Sequence, residues 1–256
     1  SYELNMCHEY PPDIRLSHLI ETYWVSDAVV SSASTQRILP DGCVDIIFNF
    51  ASNDGTGRLR SFMPHVIGTI TSFLDVSYYA GTVQMLGIRF RPNGITAFTR
   101  IPVFELTDKS VELALMETLF DSQFYERLPE FQTMKERIIY IESYLISQLP
   151  NFLATEERID YVVKYIRKAN GLVSVKQIAE EACLSERQLE RRFKSAIGIS
   201  PKTFSRIVKF KHTVDYLRCC PKDSLFTAAL ECGYFDHSHL TKDFKAFGGT
   251  LPNELI

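Results

Sequence analysis

Long apolar runs are missing from this sequence: none approaches the ~18 residues that a membrane-spanning helix needs. The N-terminus lacks the basic, then apolar, then small-residue order of a secretory signal, so a cytoplasmic location is expected. A cysteine pattern is missing too. Cys7, Cys43, Cys183, Cys219, Cys220 and Cys232 include no Cys-x-x-Cys pair, which argues for reduced thiols and against a disulfide framework. Ordinary buried or half-buried thiols outweigh zinc ligation by Cys219, Cys220 and Cys232, so neither metal nor cofactor is expected. Catalytic signatures are also lacking: there is no Gly-x-Ser-x-Gly, P-loop or Gly-x-Gly-x-x-Gly, and no His-x-His in the first half. An alkyl-transferring DNA-repair module would need a zinc-held cysteine cluster, and residues 1–154 offer only Cys7 and Cys43. The expectation is a protein that is not an enzyme.

What is present divides in two. The 256 residues suffice for one large domain or two ordinary ones, with apolar and charged fractions of a globular chain. Net charge is −3, but residues 1–154 hold 11 Lys+Arg against 18 Asp+Glu, and residues 155–256 hold 17 against 13. Between Arg187 and Lys211 lie eight basic residues and one acid, Glu190. Such asymmetry points to an anionic partner for the C-terminal half, with nucleic acid the leading candidate.

The first hundred residues have β texture. After the Asp41-Gly42 turn, Val44, Ile46, Phe48 and Phe50 alternate onto one face. Leu86, Ile88 and Phe90 do the same, opposite Gly87, Arg89 and Arg91. Turn signals at Asn53-Asp54-Gly55 and Asn93-Gly94 complete the pattern of a small barrel or sandwich. From about Ser110 the period becomes helical: Phe124, Leu128, Phe131, Met134, Ile138, Ile141, Leu145 and Leu149 recur at threes and fours, with Pro129 breaking or starting a helix. That stripe serves most simply as a core face against the β part, and a dimer interface is the sharper alternative. The overall expectation is an α+β chain: a β-rich part with helices over 1–150, then an all-α part over 155–256.

The C-terminal part opens with Thr155 as a plausible N-cap. Ser174-Val-Lys-Gln177 and Ser185-Glu-Arg-Gln188 each fit a capping box, and Ser200-Pro201 starts a longer helix with Pro at its first position. It is expected to end near Cys219 and to bury Phe204, Ile207, Phe210, Val214 and Leu217. A repeat runs through this region: "LERRFKSAIGISP" from Leu189 returns as "LTKDFKAFGGTLP" from Leu240, fifty-one residues later. Before the turn the offset is fifty, from Ala179 to Ala229, so the second copy carries one extra turn residue. Each copy reads as a helix-turn-helix, about 174–196 and 224–247, joined by a linker helix of about 201–219. Leu189 with Phe193, and Leu240 with Phe244, anchor each second helix. A packing repeat does not explain the outward Arg187, Gln188, Arg191 and Lys194.

On "IAEEACLSERQLERRFKSAIGISP", the Pro201 helix and "CGYFDHSHLTKDFKAFGGTLP", the stretch from about Thr155 to Ile256 resembles the DNA-binding domain of the AraC/XylS family of transcriptional regulators. Two departures are that Cys183 stands where the first turn often has Gly, and that Gly248-Gly249 replaces a bulky-Gly pair. The resemblance implies two helices in successive major-groove segments of double-stranded DNA, one helical turn or about 34 Å apart. Carried over by position, base contacts fall on Arg187, Glu190 and Arg191 in the first unit and on His237, Ser238 and Lys242 in the second. Arg187 and Arg191 suit guanine, and Glu190 suits cytosine N4 or a pair with Lys194. Phosphate contacts are expected from Ser185, Arg192, Lys194, Lys202, His239, Thr241 and Lys245.

The family commonly carries an N-terminal β domain that binds an effector, dimerises, or both. Here "LPDGCVDIIFNF", "VIGTITSF" and "GIRFRPNGITAFTRIPVFELTD" resemble a sensor-like domain from a less studied branch, without indicating a molecule. Trp24, Arg37, Tyr78, Tyr79 and Arg89 are the effector-pocket candidates. The parity of Arg89 makes exposure its simpler reading, and Trp24 and the tyrosines are more often core. The function expected is a sequence-specific transcriptional regulator controlled by a small-molecule effector. The alternative is an N-terminal protein-interaction or dimerisation module without a ligand. Partners would be DNA, RNA polymerase if the chain activates, and a second copy of the chain, but no membrane.

Overall fold

In a computed structural model of the chain, the structure describes residues 7–50, 64–78, 80–113 and 119–255. The β-rich part contains strands β1 (Cys7–Tyr10), β2 (Ile20–Val30), β3 (Ser34–Ile38), β4 (Val44–Asn49), β5 (His65–Ile67), β6 (Leu74–Tyr78), β7 (Gly81–Phe90) and β8 (Ser110–Glu112). Six form an antiparallel sheet in the order β1-β2-β7-β4-β5-β8, and β3 pairs with β6 as a separate ribbon. The larger sheet ends at β1 and β8 among the described residues, so it is an open sheet and not a closed barrel.

Alternation decides which side is core. Val44, Ile46 and Phe48 on β4, and Leu86, Ile88 and Phe90 on β7, are all buried. Helices α1 (Ser122–Arg127) and α2 (Met134–Gln148) cover that face. Phe124, Leu128, Met134, Ile138, Ile141 and Leu145 enter the same buried cluster, so the helical stripe serves the core. A short 3-10 turn, Leu128–Glu130, separates the two helices at Pro129. The change of period expected near Ser110 falls later. Ser110–Glu112 is instead a strand, paired with His65–Ile67. Three residues are too few to show alternation, and only the partner strand makes them β.

The remaining helices are α3 (Glu157–Lys168), α4 (Val175–Glu181), α5 (Glu186–Ile197), α6 (Pro201–Cys219), α7 (Leu225–Glu231), α8 (His237–Asp243) and α9 (Pro252–Leu255). They enclose a second buried cluster drawn from Ile159 to Leu255. Thr155 is not the N-cap of α3: Glu156 occupies that position without a side-chain cap, and the Thr155 hydroxyl instead donates to Asp160 at 3.2 Å. Ser174, Ser185 and Ser200 do cap α4, α5 and α6, the first two as complete capping boxes. All five residues expected on the buried face of α6 are buried.

Candidate nucleic-acid interface

The two repeats close in the same way. Helix α4 ends with Cys183 in the left-handed region (φ 52°), Cys183 N–H donating to Glu180 O and Leu184 N–H to Ala179 O. Helix α7 ends with Gly233 at φ 71°, Gly233 N–H donating to Leu230 O and Tyr234 N–H to Ala229 O. Both are Schellman closures, which satisfy the last carbonyls of a helix through a left-handed residue. Cys183 adopts this geometry at a steric cost that Gly233 does not incur. In the first unit Ser185 caps the next helix one residue after Leu184. In the second, Phe235 intervenes before the cap Asp236, whose carboxylate accepts from His239 N–H at 2.8 Å. The extra turn residue is therefore Phe235, and the insertion pushes it outward until it is 85% exposed.

The buried sides of α5 and α8 match. Leu189, Phe193, Leu240 and Phe244 are all fully buried, with Phe193 edge-on to Phe204 and Phe210 edge-on to Phe244 across helix α6. Anchoring these four turns Arg187, Glu190, Arg191 and Lys194 of α5, and His237, Ser238 and Lys242 of α8, to the exposed side. Among the described residues Glu190 forms no ion pair within 4 Å, with Lys194 or any other cation. The α8 helix continues as a π-helical turn, Phe244–Gly248, and closes at Gly249 with φ 70°. A Cβ at Gly249 would meet the Phe73 ring at 2.4 Å, so the Gly248-Gly249 departure permits a close approach of the β-rich part.

The phosphate candidates divide. Lys194, Lys202, His239 and Lys245 are exposed, while Thr241 is half-buried and donates to His237 O at 2.8 Å. Ser185 is committed to capping α5, and Arg192 pairs with Glu156 at 2.7 Å. Further along the basic run, Arg206 pairs with Asp243 at 2.6 Å and Lys209 lies 3.9 Å from the centre of the Tyr234 ring. These contacts tie the linker helix to the second unit, and burial pushes the Lys209 ammonium pKa down. The cluster between Arg187 and Lys211 is thus partly internal. Charge counting alone cannot distinguish an Arg in solvent from one paired with a carboxylate from a distant turn.

The β-rich part grips the ends of both second helices. Thr69 Oγ1 donates to Ile197 O at 2.6 Å and Thr107 Oγ1 to Gly198 O at 2.9 Å, at the C-terminus of α5. Ser72 Oγ donates to Ala246 O at 2.8 Å and an Arg37 guanidinium nitrogen to Gly248 O at 3.0 Å, at the end of α8. One loop, residues 68–73, therefore reaches both units. Asp108 stiffens it by accepting from Thr71 N–H and Thr71 Oγ1.

Residues 178–256 match a family model described as a helix-turn-helix domain. This region is an AraC-type helix-turn-helix domain. Residues 8–112 match a second model, a domain of unknown function (DUF6597). No curated protein matches the chain. Among solved structures, ToxT from Vibrio cholerae at 1.65 Å aligns at 9% identity and TM-score 0.46, over 91% of this chain and 97% of that one. Unsaturated fatty acid bound ToxT from V. cholerae strain SCE256 aligns at 10% identity and TM-score 0.41, over 91% and 94%. A probable AraC family transcriptional regulator from Rhodopseudomonas palustris aligns at 24% identity and TM-score 0.36, over 39% and 94%. The AraC-type domain has the fold of DNA-binding regulators, and no described helix is long and apolar enough to cross a membrane.

The four described effector candidates do not share one site: Trp24 and Arg89 meet at Asp45, while Arg37 and Tyr78 lie on the β3–β6 ribbon. Tyr79 lies outside the described residues. Trp24 donates from Nε1 to Asp45 at 2.9 Å and packs so tightly on Gly87 that a Cβ there would lie 1.9 Å from its ring. Tyr78 lies 3.4 Å from Gln36 on the β3–β6 ribbon. Arg37 pairs with Asp75 and stacks 4.1 Å from the centre of the Phe73 ring, beside the AraC-type domain. Arg89 is not exposed as its parity suggested. The non-core face of the sheet turns toward α3 and α6, and there Arg89 reaches Asp45 at 3.2 Å and Asp41 at 3.5 Å. Burial raises the Asp41 carboxyl pKa, but the cations of Arg89, Lys211 and Arg167 outweigh it and hold it below its ordinary value. At Asp45 burial wins, and the carboxyl pKa is raised.

Proposed function

We propose that this protein is a sequence-specific DNA-binding transcriptional regulator whose β-rich part controls the spacing of its two reading helices. The observation that carries the reading is the pair of capped, Schellman-closed units on one linker helix, each presenting an exposed polar face. Arg187, Glu190 and Arg191 would read the first groove segment and His237, Ser238 and Lys242 the second. Lys194, Lys202, His239, Thr241 and Lys245 are suited to phosphate. Ser185 can offer phosphate only its capped helix terminus, and Arg192 only by exchanging Glu156 for it. Control by the β-rich part follows from the loop at 68–73, since a shift of that loop changes both helix ends together.

The test is selection of genomic fragments by the purified protein near physiological salt. The expected result is a two-part motif with centres about one helical turn apart. In the same assay Arg191→Ala should cost ~1–3 kcal/mol and relax preference at one base pair. Recovery of fragments with no common motif would overturn the claim of specificity, and equal weakening on every sequence would make Arg191 a phosphate contact.

A further inference from the structure

Between the sheet and the AraC-type domain lies a cleft of about 440 Å³ whose lining includes three acidic and three basic side chains. We infer that it binds a small dipolar ligand, one carrying a carboxylate and a protonated amine in the manner of a free amino acid. This rests on the regulator reading above and names the kind of effector and where it sits.

The two walls of the cleft carry opposite excess charges. From the β-rich part come Glu9, Glu21, Asp41 and Arg89, and from the AraC-type domain come Arg167 on α3 and Lys211 on α6. Arg89 is already matched by Asp41 and Asp45. Among the described residues Arg167 and Lys211 have no carboxylate within 4 Å, although both face the cleft closely enough to lower the Asp41 pKa. Glu9 makes no ion pair among the described residues, and Glu21 only accepts from the Cys43 thiol at 3.3 Å. One wall thus offers two cations and the other two carboxylates. Glu21, Arg167 and Lys211 are half-buried and Glu9 is exposed, so each keeps a face open to the cleft where an ion of opposite charge can reach it. A simple monoanion would satisfy only the cationic wall, and a fatty acid, which carries one carboxylate, would likewise leave Glu9 and Glu21 without a cation. A ligand bearing both charges satisfies both walls, and the volume lies within the usual range for small-molecule sites.

The position gives such a ligand leverage. Lys211 belongs to the linker helix that carries both reading units, and Gly42, next to Asp41, packs against Phe204 on the same helix. A Cβ at Gly42 would lie 2.4 Å from that ring, so the turn and the helix are already in contact. A ligand bridging Lys211 to Glu21 would pull the linker helix toward the sheet and reposition the ends that residues 69–72 cap.

The experiment uses the full chain, with the twenty L-amino acids tested singly and butyrate and butylamine as single-charge controls. Thermal unfolding is read alongside binding to a DNA fragment selected as above. At least one amino acid should raise Tm by roughly 5–10 °C at a hundredfold excess over Kd, and neither control should. Lys211→Met and Glu21→Gln keep the side-chain stems and should each abolish the shift. The inference is overturned if no amino acid shifts Tm, if the shift survives both variants, or if butyrate matches the amino acid. Selective DNA binding with no amino-acid response would remove this site and leave the regulator reading intact. A response without selective DNA binding would do the reverse.

Discussion

Thr69→Val tests how firmly the β-rich part holds the first reading helix. Thr69 is fully buried, and its hydroxyl donates to Ile197 O at 2.6 Å. If α5 continued, that carbonyl would accept the N–H of residue 201, but residue 201 is Pro201 and has none. Valine has nearly the shape of threonine, so the substitution removes the hydrogen bond with little change in packing. It strands a buried carbonyl, which costs about 1–3 kcal/mol. At about 2–4 °C per kcal/mol for a chain of this size, Tm should fall by roughly 2–12 °C. Differential scanning calorimetry measures the loss, and duplexes with half-site centres moved by one or two base pairs report whether spacing preference has relaxed. Thr107→Val, at a half-buried position, should cost less. A Tm within about 1 °C of the parent, together with an unchanged spacing preference, would refute the bracket.

Three further outcomes are expected. Leu189→Ala leaves a cavity under α5 and should destabilise by ~2–5 kcal/mol in denaturant unfolding; a loss under 1 kcal/mol would mean that the helix is rotated from its described position. Cys183→Gly relieves a left-handed Cβ worth ~1–2 kcal/mol, while glycine's freedom in the unfolded chain returns part of that. A net gain of about 0.5–1 kcal/mol is expected, and a loss would refute the strain argument. Asp41→Asn addresses pH. The folded-state pKa of Asp41 is depressed, so its stabilisation is present above the unfolded value of ~3.9 and is lost as pH falls through the folded value. Parent and variant should therefore converge in stability on acidification below about pH 4, and a difference constant from pH 7 to pH 3 would contradict the assignment.

How much was legible depended on the range of the interaction. Ser174 with Gln177, Ser185 with Gln188, and Ser200 before Pro201 act within one helical turn, so their roles follow from spacing. Alternation on β4 and β7 placed the core face for the same reason. The outward placement of Phe235 was half legible: the offset of fifty, then fifty-one, showed that a residue had been added, though not where its ring would point. Thr155 misled because a hydroxyl followed by acids fits a cap, whereas Asp160 gave it a nearer partner. Ser110–Glu112 could not be read at all without β5.

The sequence by itself determined the paired units, their caps, the linker helix and the buried anchors, because each rests on residues three to five apart along a helix or two apart along a strand. Only the tertiary structure decided which basic residues remain free, where Arg89 finds its carboxylates, and that Thr69 and Ser72 reach the ends of both reading helices. Those contacts join residues separated by 36 to 174 positions, and a pairing across that distance is set by how the elements pack and leaves no period in the chain.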